Sequence, residues 1–170
     1  MTLDNLSKIG RLKPHQPTLD EVARLLASAD TALRDAKLAG MSTTSRLDLA
    51  YKAIMQAALA ALYGNGYRTS TNEPGHQQTT IQALPKTVGL TAARMTVLDG
   101  FRRARNLADY EGAEVEEAKA RECIEWAQVL IAEVRGWLKK NRPDLGSLSA
   151  GRIPPAVTPC MLLTGELVYG

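Results

Sequence analysis

The stretch STTSRLDLAYKAIMQAALAALYGNG, residues 42–66, decides the fold. Leu47, Ala50, Ile54, Ala57, Ala58, Ala61 and Leu62 recur at helical intervals and share one face. The run Gly64-Asn65-Gly66 then breaks the helix. Alanine favours helix and lets neighbouring helices approach closely, whereas the aromatic side chains that favour sheets make up only 5% of the chain. Working outward, PTLDEVARLLASADTALRDAKLAG (17–40) opens with Thr18 and Glu21 at capping-box spacing. Val22, Leu25, Leu26, Ala29, Leu33 and Ala36 follow on one stripe, and Gly40 stops it. Downstream, YRTSTNEPGHQQ reads as a loop. TTIQALPKTVG reads as a short helix that Pro85 kinks or ends. A fourth helix starts near Thr91 and breaks near Gly112, and a fifth runs from about Glu114 to Lys140 with Val115, Ala118, Ile124, Ala127, Ile131, Val134 and Leu138 inward.

The expected fold is therefore all-α, an up-down bundle of about five helices. A lead-in spans residues 1–17, the helical domain 18–140, and a Pro/Gly-rich tail 141–170 is extended through Met161, Leu162 and Leu163 or disordered. At 170 residues there is room for one domain with a real core. The net charge of +3 permits nucleic-acid binding without demanding it. Cys123 and Cys160 form neither a disulfide framework nor a metal motif, and each reads as a free thiol in a reducing compartment. No apolar run has membrane-spanning length and the N-terminus lacks an apolar signal region, so the expectation is a soluble, cytoplasmic chain. Metal-ligand spacing and a phosphate-cradling glycine loop are both lacking, so neither metal nor cofactor is expected.

FRRARNLADYEG, residues 101–112, concentrates guanidinium, amide and phenol on one helix. Helical periodicity puts Val97, Phe101, Ala104 and Ala108 on the core stripe. Asp99, Arg102, Arg103, Asn106 and Tyr110 fall on the opposite side, with Arg105 at its edge. A solvated face would pair Asp99 with Arg102 or Arg103, and Arg105 with Asp109. Asparagine, however, is a poor mid-helix residue, and arginine offers a planar fork suited to phosphate.

Three pieces of the chain together resemble the HEPN domains (higher eukaryotes and prokaryotes nucleotide-binding), small helical bundles of bacterial toxin–antitoxin and defence systems. RLDLAYKAIMQAALAALYGNGYR (46–68) is similar to their second helix and following loop, and GHQQTTIQAL (75–84) to their short third helix. RRARNLADY (102–110) resembles their signature, an arginine, a polar residue, and a histidine four to six positions after the arginine. The resemblance implies that Arg105 is the motif arginine, that Asn106 is its polar neighbour, and that Arg102 and Arg103 help bind a ligand. In active members such a motif is a metal-independent ribonuclease site formed where two subunits meet. Tyr110 stands where the histidine belongs; a phenol titrates near 10 and shuttles protons poorly at neutral pH. Five positions on a helix also separate side chains by about 140°.

Of the two histidines, His15 reads as a solvated loop residue, while His76 could cap the third helix or approach the arginine face. Tyr51, Tyr63 and Tyr67 read as core and cap contacts, and Trp126 with Trp137 as packing anchors. Arg68 is one more cation without an assigned role. Three functions fit this reading. The first is a homodimeric binding module of a toxin–antitoxin or defence pair, weak or inactive as a nuclease. It would hold nucleotide, RNA or a partner protein through the Arg102–Tyr110 face. The family implies an antitoxin or a nucleotidyltransferase as partner, the latter modifying a tyrosine near the motif. The second is a metal-independent endoribonuclease toxin using Arg105, Asn106 and Tyr110, and the third a dimeric scaffold without ligand.

Overall fold

A computed structural model describes residues 1–146, so the expected docking of the tail through Met161, Leu162 and Leu163, and the second thiol, Cys160, lie outside the described residues. In chain order the elements are α1 (Leu3–Lys8), β1 (Leu12–Pro14), α2 (Leu19–Ala36), α3 (Thr43–Gly64) and β2 (Tyr67–Thr69). There follow α4 (His76–Gln82), α5 (Leu84–Thr87), α6 (Ala92–Glu111), α7 (Glu117–Asn141) and α8 (Pro143–Gly146). The architecture is an all-α bundle with a small two-stranded ribbon at its side.

Local chemistry sets the helix ends. The Thr18 hydroxyl accepts from the Glu21 amide at 3.2 Å, and the Glu21 carboxylate accepts from the Thr18 amide at 2.8 Å, which completes the expected capping box. Ser42 and Thr91 cap α3 and α6 in the same way, accepting from the Ser45 and Arg94 amides. Gly112, at φ +65°, ends α6 in the left-handed conformation that glycine adopts without strain. The expected third helix is two short ones meeting at Ala83, because Pro85 has no amide hydrogen to continue the first ladder.

Helix α3 is the centre of the bundle. Its buried residues include Ala53, Met55 and Ala60 as well as the whole expected stripe, so it is covered nearly all round. Helices α2 and α7 pack along it most extensively, and are themselves tied by a bidentate Arg135–Asp30 pair. Close approach at the end of α3 requires Gly64, where a Cβ would lie 2.7 Å from Leu138 Cδ2. Trp126 and Trp137 pack partly buried against the core, Tyr51 lies within it, and Tyr63 packs on its edge.

The lead-in is more structured than expected. Residues 1–17 hold a helix and a strand, and the anticipated loop after α3 holds the second strand. The strands pair antiparallel as Leu12↔Thr69, Lys13↔Arg68 and Pro14↔Tyr67. Leu12 is buried with Leu62 and Ala83, and Leu3, Leu6 and Tyr67 pack around them. Three-residue strands far apart in sequence carry no readable periodicity, which is why they escape a sequence reading. His15 is likewise no solvated loop residue. Its side chain is 17% exposed, its ring lies 4.7 Å from that of Tyr63, and its Nε2 is 3.2 Å from Glu21 Oε2.

Candidate functional site

Helix α6 is long but thinly anchored: Leu98 and Phe101 are its only fully buried side chains among the described residues. Each contributes about 1.5–3 kcal/mol by burial. The inward stripe continues at helical spacing as Leu98, Phe101, Arg102 and Arg105. Arginine stems thus widen the expected core face, of which Phe101 is buried and Val97 and Ala104 pack partly buried against the core. Asp99 and Arg102 are not on the outer side as expected, since their side chains are 16% and 17% exposed.

Both arginines are engaged by acids. Arg102 Nε donates to Asp99 Oδ1 at 2.7 Å, and this hydrogen bond holds its guanidinium above the usual arginine range. Arg105 Nε donates to Asp48 Oδ1 on α3 at 3.1 Å, and its Nη2 lies 3.4 Å from Asp109. Arg103, more exposed, shares Asp99 at 3.4 Å. The ion pairs expected from sequence are all present, with Asp48 added from α3. Three guanidiniums meet three carboxylates, so a phosphate entering here would have to displace an acid from its partner.

Beneath them lies Tyr51, 2% exposed, with the Arg105 guanidinium 5.6 Å from its ring centroid. Its hydroxyl donates to Gln77 Oε1 of α4 at 3.1 Å. Burial pushes this phenol well above its ordinary value, against the opposing pull of Arg102 and then Arg105. Asp48, Tyr51 and Gln77 escaped the sequence reading as site residues. The available signal was Asp48 and Tyr51, three positions apart on α3 and so on neighbouring turns of one face.

The three proposed catalytic residues are not brought together. Helix α6 is regular through Glu111, so Arg105 turns to α3 while Tyr110, 85% exposed, turns to solvent. Asn106 is half-buried and its side chain has no hydrogen-bond partner among the described residues. His76 begins α4 behind Gly75, the residue at the cap position, and its Nδ1 lies 3.3 Å from the Glu73 carbonyl oxygen. Cys123 is buried and burial pushes its thiol up, which keeps it protonated. Cavities lie elsewhere: one of about 240 Å³ beside Arg11 and His76, and an open one of about 420 Å³ beside Arg24, Gln56 and Tyr63. Among the described residues no group of three or more His, Cys, Asp or Glu side chains could hold a metal ion, and no helix is long and apolar enough to cross a membrane.

No protein-family model matches the chain, and no curated protein matches it in sequence.

Proposed function

We propose that the chain is a HEPN-like binding module of a toxin–antitoxin or defence pair, joined to a second copy through the outer face of α6 and inactive as a nuclease. One observation carries the reading. Arg102, Arg103 and Arg105 of α6 are paired with Asp48, Asp99 and Asp109, while its outer side leaves Leu107 46% and Tyr110 85% exposed. Exposed tyrosine and arginine are enriched among the residues that carry protein contacts. The face is also self-complementary. A twofold axis through Leu107 sets Arg103 of one copy opposite Glu111 of the other, with the leucines between them. Tyr110 is accessible to a modifying nucleotidyltransferase, and lacks the geometry to work with Arg105.

Light scattering coupled to size-exclusion chromatography tests the pairing. The expected result is a dimer that Leu107→Asp converts to a folded monomer; a monomeric wild type sinks the reading. Incubation with single-stranded RNA in EDTA tests the chemistry, with no cleavage expected. Cleavage that disappears in Arg105→Ala would establish the ribonuclease instead.

A further inference from the structure

Nine of the twelve arginines among the described residues hold a carboxylate at salt-bridge distance. The three that do not are Arg11, Arg68 and Arg121; Arg68 lies in β2, and Arg11 immediately precedes β1. Arg68 stands directly opposite Lys13 in the ladder, and both side chains are exposed. Opposed residues of an antiparallel pair bring their Cβ atoms about 4.5–5.5 Å apart, and like charges placed so are destabilising. The register cannot relieve this, because a one-residue slip would turn the buried Leu12 and Thr69 out to water. Arg11, the residue before β1, is exposed as well. The neighbouring acids do not compensate. Asp4 is bound by the Tyr67 hydroxyl, and Glu73, which lines the adjoining cavity with Arg11, is not an ion-pair partner of it.

We propose that this outer ribbon face binds the phosphate backbone of a nucleic-acid duplex, without regard to sequence and separately from α6. Converging unpaired cations on an open surface suit a repeating polyanion, where counterion release adds with each contact. Among the described residues the face offers no aromatic ring on which unpaired bases could stack, since Tyr67 lies on the inner side against Asp4 and the second core cluster. A membrane surface fits less well: Leu3 and Leu6 of α1 pack inward around Leu12, which leaves only Met1 and Ile9 at the two ends of that helix exposed and no continuous apolar face.

Fluorescence anisotropy on the full chain, with a labelled mixed-sequence DNA duplex of about 20 base pairs at about 50 and 200 mM salt, tests the proposal. Lys13→Gln with Arg68→Gln should weaken binding by roughly tenfold or more, and flatten the log–log salt slope by about 1.8. Lys13→Glu separates binding from folding. It makes a favourable cross-strand pair with Arg68, so Tm should rise while binding falls. Arg121→Gln, which removes the third unpaired arginine, should leave affinity and slope unchanged. Duplex affinity unaltered in Lys13→Glu, or lowered as far by Arg121→Gln as by Lys13→Gln with Arg68→Gln, would overturn the assignment. So would tighter binding to the matching single strand, or binding to phosphatidylserine vesicles in place of duplex. A matching RNA duplex in a parallel titration identifies which helix is preferred.

Discussion

Arg105→Ala separates a structural arginine from one waiting for a ligand. In the folded chain the guanidinium bridges Asp48 and Asp109 and covers the Tyr51 ring. With its side chain 31% exposed, each ion pair is worth about 0.2–1 kcal/mol, and the cation–π contact about 0.5–1 kcal/mol. Truncation also removes the stem that shields Tyr51. The total is about 2 kcal/mol, which for a chain of this size lowers Tm by about 4–8 °C. Urea denaturation and calorimetry measure it. A double-mutant cycle with Asp48→Asn should return a coupling of about 0.5–1 kcal/mol. Arg105→Lys should recover only part of the loss, because an ammonium cannot reproduce the fork that spans two carboxylates. If Arg105→Ala leaves Tm within about 1 °C and the cycle returns no coupling, the residue is not part of the fold's cement. Its charge would then be free for a phosphate, and the ribonuclease reading would regain its best argument.

Two further outcomes follow from particular contacts. Gly64→Ala places a Cβ 2.7 Å from Leu138 Cδ2 and 3.1 Å from the Trp137 ring, so overpacking of about 1–3 kcal/mol should outweigh the helix-propensity gain of about 1 kcal/mol; urea denaturation should show a net loss. The Glu21 carboxyl is held below its ordinary 4.5, chiefly by the Thr18 amide and also by His15. A carboxyl lowered on folding contributes stability above its unfolded value and loses it as pH falls through the folded one. Wild type should therefore exceed Glu21→Gln in Tm at neutral pH, and the gap should close as pH drops below 4.5. A gap that persists unchanged to pH about 2 would assign the effect to shape instead of charge.

The bundle was legible where one local signal sufficed. Thr18 with Glu21, Ser42 and Thr91 start helices through their own side chains, and Gly112 stops one, so these boundaries stand within a few residues of expectation. Helix α7 starts at Glu117, three residues later than the acidic run suggested, because Glu116 takes the cap position. What was not legible depends on distant pairing. Leu12 pairs with Thr69 across the whole of α2 and α3, and His15 meets the Tyr63 ring across the same span. On α6 the stripe of Phe101, Val97 and Ala104 does meet the core, and only the placing of Asp99 and Arg102 misled. Apolar side chains normally mark the core face, but here Arg102 and Arg105 lie inward because Asp99 and Asp48 neutralise them and Tyr51 underlies them. The site residues supplied by α3 and α4 could not be assigned to α6 by any spacing rule, since they are 22 to 57 positions away.

Residue type drew attention to the three arginines at 102–105, yet pairing state is the better guide to what a cation does. A guanidinium with two carboxylates and an aromatic ring has its charge answered within the fold, and removing it should be felt as stability. Lys13 and Arg68 present the opposite case. The buried Leu12 and Thr69 hold them face to face with no acid at salt-bridge distance among the described residues, and the fold gains nothing from their charge. Replacing one of them by glutamate should therefore strengthen the chain, a consequence that sets the ribbon apart from α6 before any ligand is added. A surface that becomes more stable when its charge is reversed, and loses a partner at the same time, is one whose charge serves the partner.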